Sequence, residues 1–130
     1  MNEKAQLWIG VSNREESMAR VLSRADLNEG TVLHAHRAAS ASLVAIFAHH
    51  GWVATSDRCE DLCGMLAAHD VTAPQDVRDA AKTLDSHAGK LDPESAGQPP
   101  SRTCTAEIAA SCLDCVTRIR SFVNAALTRS

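Results

Sequence analysis

The chain has 130 residues, a formal net charge of −3 and 45% hydrophobic residues, so it is long enough to bury a core and carries no disordered, collagen-like or membrane-spanning bias. A pI near 6.0 excludes the strongly basic footprint of an extended duplex binder, although local contact with nucleic acid stays open. The first residues, Met1 to Trp8, lack the apolar core of a signal peptide, and no apolar run reaches the ~18 residues of a membrane span. One domain over 1–130, cytoplasmic and not associated with a membrane, is the expectation.

In chain order the pattern is helix after helix. Leu7, Val11, Met18 and Leu22 form one stripe, with Trp8 and Ile9 beside it and Arg14, Glu15, Glu16 and Arg20 on the solvated side. This predicts a helix to about Arg24, continuous through Gly10 despite its cost of roughly 1 kcal/mol against Ala.

The stretch Asn28–Gly51 is the expected centre. Val32, His36, Ala39, Leu43, Ile46 and His50 recur at steps of three and four, thickened by Leu33, Val44 and Phe47. Ala35, Ala38, Ala39, Ala41 and Ser42 are small enough for neighbouring backbones to come close, and Gly51 suits the left-handed position past a helix end.

Thr55 or Ser56 is the expected cap of a third helix to about His69, with Asp57 and Glu60 in its first turn and Cys59, Leu62, Cys63 and Leu66 inward. Pro74 opens a fourth, with Val77, Ala80, Ala81 and Leu84 inward, to about His87. Lys90 to Arg102 holds three of the four prolines and reads as a mobile loop. Thr103 then caps a last helix whose stripe is Cys104, Ile108, Cys112, Cys115, Ile119, Phe122 and Ala126. Nothing alternates with period two and there is no internal repeat. The fold class is all-α, an up-and-down bundle of about five helices.

The order Lys4-Ala-Gln-Leu-Trp8, His36-Arg-Ala-Ala-Ser-Ala-Ser-Leu-Val-Ala-Ile-Phe-Ala-His-His-Gly51, Thr55-Ser-Asp57, Val77-Arg-Asp-Ala-Ala-Lys-Thr-Leu-Asp85 and a terminal helix resembles the small HEPN family (higher eukaryotes and prokaryotes nucleotide-binding). The resemblance covers nearly the whole chain and rests on helix order rather than on one sharp motif. It implies a bundle that pairs into a homodimer, and a role either beside a small nucleotidyltransferase as toxin and antitoxin or as a metal-independent RNase.

Several departures bear on function. The family's Thr-His-Asp looks like Thr55-Ser56-Asp57, without the histidine, and its Tyr-Ile-Pro-Thr-Arg-Tyr-Pro-Asp stretch resembles at best Ala88-Gly-Lys-Leu-Asp-Pro-Glu94. Nuclease-type members carry an Arg, four to six residues, then a His, because cleavage through a 2′-hydroxyl needs a proton-transfer group beside a phosphate-holding cation. No histidine here has that spacing. The nearest approach, Arg78 and His87, spans two and a half turns of helix and falls on opposite faces.

No catalytic residue is therefore assigned. The candidate binding surface is His36 and Arg37 on the central helix, with Asp57, Arg78 and His87 gathered to it, if need be from a second chain. Cys59-x-x-x-Cys63 and Cys112-x-x-Cys115 have spacings that two helices can turn toward a tetrahedral zinc. All four also fall on apolar stripes, so buried, reduced, metal-free thiols are expected and no cofactor is implied. Trp8 and Trp52 are expected as core or interface plugs. Three readings follow: a non-catalytic module that homodimerises and binds a protein, nucleotide or RNA partner; an RNase toxin with a relocated site; or an unrelated structural or zinc-binding bundle.

Overall fold

A computed structural model describes residues 1–129, with Pro93 and Ser95 described by their backbone only. Five long helices, α1 (Glu3–Arg24), α2 (Asn28–His50), α3 (Cys59–Ala68), α4 (Gln75–Gly89) and α7 (Ala106–Arg129), are joined by short connections. The connection between α4 and α7 holds two single-turn helices, α5 (Pro93–Ala96) and α6 (Pro100–Thr103). No strand occurs among the described residues, and no helix is long and apolar enough to cross a membrane.

Helices α1 and α2 form an antiparallel hairpin that Asn2 clips shut. Its Oδ1 accepts the Ala5 amide at 2.9 Å as the N-cap of α1, while Nδ2 donates to the Ala48 and His49 carbonyls at the end of α2, each at 3.0 Å. At the other end the chain reverses at Asp26, whose φ of 58° is left-handed. A Cβ on Gly30 would stand 2.7 Å from Leu22 Cδ1, so the bare glycine lets the Leu22 side chain lie against the α2 backbone.

The face that α1 turns to α2 is not the expected stripe. Ala5, Ser12 and Ala19, seven residues apart, are the buried residues, and Ser12 Oγ donates to the Ala38 carbonyl at 2.7 Å. Small side chains win here because they permit close backbone packing against the alanines of α2. Leu7, Trp8 and Val11 are consequently left 65%, 41% and 43% exposed, so Trp8 is no core plug.

Helix α2 packs against α1, α3, α4 and α7, which makes it the centre that its sequence predicts. Val32, Ala39, Leu43 and Ile46 of its stripe are buried, and Gly51 closes it at φ 74°. Trp52 follows, its ring stacked between His50 at 4.2 Å and His69 at 3.9 Å. This stack ties the end of α2 to the end of α3.

Three boundaries differ from expectation. Helix α3 begins at Cys59 rather than at Thr55 or Ser56. Ser56 Oγ is spent on a local turn, accepting the Arg58 amide at 3.1 Å and donating to Asp61 at 2.9 Å, and the cap comes from α4 instead. Helix α7 begins at Ala106, with Thr105 Oγ1 accepting the Ile108 amide at 3.2 Å, and Thr103 belongs to α6. Within 90–102 the chain makes α5 and the start of α6, because Pro93 and Pro100 each open a single turn.

Candidate functional site

A cleft of about 920 Å³ opens between α1, the middle of α2, the segment before α3 and the end of α4. Its floor is a pair of side chains from elements far apart in sequence. His36 Nε2 lies 2.8 Å from Asp85 Oδ1, and the Asp85 side chain is only 3% exposed. The same carboxylate accepts the Cys59 amide through Oδ1 at 2.9 Å and the Glu60 amide through Oδ2 at 2.8 Å.

Asp85 thus caps α3 from another helix, and the cap fixes which ring nitrogen of His36 donates. Burial works to raise the Asp85 carboxyl, but the bonds from His36, Glu60 and Cys59 outweigh it and hold the group below its ordinary value. An ionised carboxylate only accepts, so His36 Nε2 must donate. The neutral imidazole then carries its proton on Nε2. Nδ1 has no hydrogen-bond partner among the described residues, on a ring that is 16% exposed and lines the cleft.

Arg37 and Arg58 stand on the cleft wall, and neither belongs to an ion pair among the described residues. Four carboxylates also line the cleft: Glu15 is paired with His34 Nδ1 at 2.5 Å and Asp85 with His36 in the floor, and Asp57 and Asp92 complete the set. Val11, Leu33 and Val44 give the wall its apolar part, with Trp8 at one side.

Of the expected surface, His36, Arg37 and Asp57 come together within one chain. Asp57 stands before α3 rather than in its first turn, where its carbonyl accepts Ser40 Oγ at 2.9 Å. Arg78 does not join them. It lies about two turns earlier than Asp85 on α4, where with Glu60, Cys63, Gly64 and Ala67 of α3 it lines a separate pocket of about 190 Å³ and donates to Gln75 at 2.9 Å. His87, two residues past Asp85, points about 200° round the helix and is absent from the cleft wall. Its Nδ1 is buried without a protein partner, and burial followed by the Lys90 charge lowers its pKa.

Sequence reasoning missed Asp85 and Arg58. A signal for Asp85 exists: it continues the steps of four from Val77 and Ala81, so a carboxylate occupies a position on the buried stripe of α4. Arg58 gives none, since its place depends on where α3 starts.

All five cysteines are buried and unbonded to one another. The group with metal-ligand atoms close together among the described residues is not the four-thiol set considered above but His36, Cys59 and Asp85, within 4.8 Å of one another. As arranged, Nε2 and Oδ1 are committed to each other, and the Cys59 thiol is pushed well above its ordinary range by burial and then by Asp85. The trio fits a hydrogen-bonded cap better than a cation.

An all-α bundle built on an α1–α2 hairpin, with a cleft where three helices meet, is the class of protein these features define. The family model for the HEPN domain matches residues 5–126, and the chain belongs to that family. The solved structure of TT1696 from Thermus thermophilus is similar, with a TM-score of 0.86 at 26% identity, over 96% of this chain and 99% of that one. ST0689, described as an archaeal HEPN homologue, superposes with a TM-score of 0.78 over 95% of this chain and 98% of that one; its 18% identity shows the shared fold alone. No curated protein gives a significant match.

Proposed function

We propose that this HEPN-family chain is a non-catalytic, homodimeric module whose cleft binds a nucleotide or a segment of RNA. The observation that carries the reading is the pair of unpaired guanidiniums, Arg37 and Arg58, on the wall of a cleft that is otherwise partly apolar. Guanidinium forks match phosphate geometry, and a cleft of about 920 Å³ has the size of small-ligand sites. The spacing that supplies both cation and proton acceptor in nuclease-type members is missing, which favours binding over cleavage. A protein partner, including a nucleotidyltransferase of a toxin–antitoxin pair, would meet the same face. Titration calorimetry with ribonucleoside monophosphates tests the reading. Arg37→Ala combined with Arg58→Ala should abolish binding, and undiminished binding by that double variant would refute it.

A specific observation favours a second reading. The His36 ring, oriented by a buried carboxylate and with Nδ1 unpaired among the described residues, is what a metal-independent RNase with a relocated site needs as its base. Metal-free RNA cleavage that His36→Ala or Arg37→Ala abolishes would decide for this reading; intact RNA after prolonged incubation decides for the module.

A further inference from the structure

We infer that His36 makes the cleft selective for ligands that present a hydroxyl, so that ribonucleotides are preferred over sugars lacking the 2′- and 3′-hydroxyls. The inference rests on the nucleotide reading above and adds which part of the ligand each side chain meets. Asp85 is the deciding residue although it need not touch the ligand. Its two oxygens already take two backbone amides, so the carboxylate stays ionised and offers His36 nothing but an acceptor. That fixes the imidazole proton on Nε2 and turns Nδ1 into an acceptor.

An acceptor on a partly exposed ring that lines a cleft whose wall also holds two guanidiniums outside any ion pair defines a paired requirement: a donor at His36 and an anion at Arg37 and Arg58. A phosphate ester of a polyol meets it, and a ribonucleotide is the ordinary case. A ligand with the phosphate but no hydroxyl would leave a partly buried acceptor without its partner. A site built to bond a hydroxyl rejects the analogue lacking it for that reason.

The test has two arms. Calorimetry with the four ribonucleoside 5′-monophosphates and their 2′,3′-dideoxy counterparts should show the latter about tenfold weaker, the value of one good hydrogen bond. His36→Phe should erase the difference. His36→Gln, which can donate to Asp85 through its amide nitrogen and accept through its oxygen, should keep most of it. The second arm is nitrogen-15 NMR of the imidazole in the unliganded protein, where His36 should be the Nε2–H tautomer. Equal affinity for both nucleotide sets, or a proton on Nδ1, would overturn the inference and leave nucleotide binding standing. Binding of neither set with the Nε2–H tautomer present would overturn the nucleotide reading, and the ribose preference with it.

Discussion

The Asp85 carboxylate accepts His36 Nε2 at 2.8 Å while its two oxygens hold the first amides of α3. One side chain therefore joins α2, α3 and α4 and shapes the cleft floor. Asp85→Ala removes a helix cap and a buried hydrogen bond together, and leaves the amides of Cys59 and Glu60 unpaired. The expected loss is about 2–4 kcal/mol in urea unfolding. His36→Ala should cost clearly less, because Asp85 keeps both amides. Equal losses for the two variants would show that the cap is not what holds the junction.

Acid should destabilise the protein in two windows. The His50 and His87 pKa values are lowered from 6.5, by burial first and then by His49 and His69 for the former and Lys90 for the latter. The unfolded chain takes up these protons near 6.5 while the fold resists them, so stability falls as pH drops from 6.5 toward the folded values. Asp85 makes a separate contribution at lower pH. Its folded pKa lies below 3.8, so its contribution is complete above 3.8 and disappears as pH falls through the folded value. Urea midpoints across pH 7.5 to 1.5 would trace both steps. His87→Leu should flatten the upper step and leave the lower one unchanged.

Much of the fold is legible in the sequence because it depends on local periodicity. The stripe from Val32 to Ile46 gives α2, Val77 to Leu84 gives α4, and Gly51 marks a true helix end. What fails depends on residues distant in the chain. Thr55 and Ser56 look like caps of α3, yet the cap is Asp85, 26 residues beyond Cys59. The large apolar residues of α1 look like its inner face, but the alanines of α2 select Ala5, Ser12 and Ala19 instead. The site is half legible for the same reason. His36 and Arg37 are neighbours on one helix, whereas Asp85 and Arg58 reach them only through the packing of α3 on α4.

The thiols should be inert in the native protein. Burial raises all five; Cys63 is pushed up to about 11 and Cys112 to about 12, and Cys59 rises well above its ordinary range. A disulfide reagent at pH 8 should find five thiols in denaturant and label the native protein slowly. Rapid native labelling of Cys59 or Cys112 would show that the α3 or α7 interior opens far more readily than its burial implies.

The last expectation concerns a second copy of the chain. Leu7, Trp8 and Val11 lie at steps of one, three and four on α1 and are 65%, 41% and 43% exposed, an apolar face that packing against α2 leaves uncovered. Trp8 and Val11 also border the cleft, so a partner seated on this face would roof it and shield Arg37 and Arg58 from solvent. Light scattering should give twice the 13.9 kDa chain mass at micromolar concentration. Leu7→Asp combined with Val11→Asp should yield a monomer with nearly unchanged thermal stability, since neither side chain is part of the buried core. A wild-type monomer would remove the dimer from this picture, and a dimer that survives both charges would move its interface away from α1.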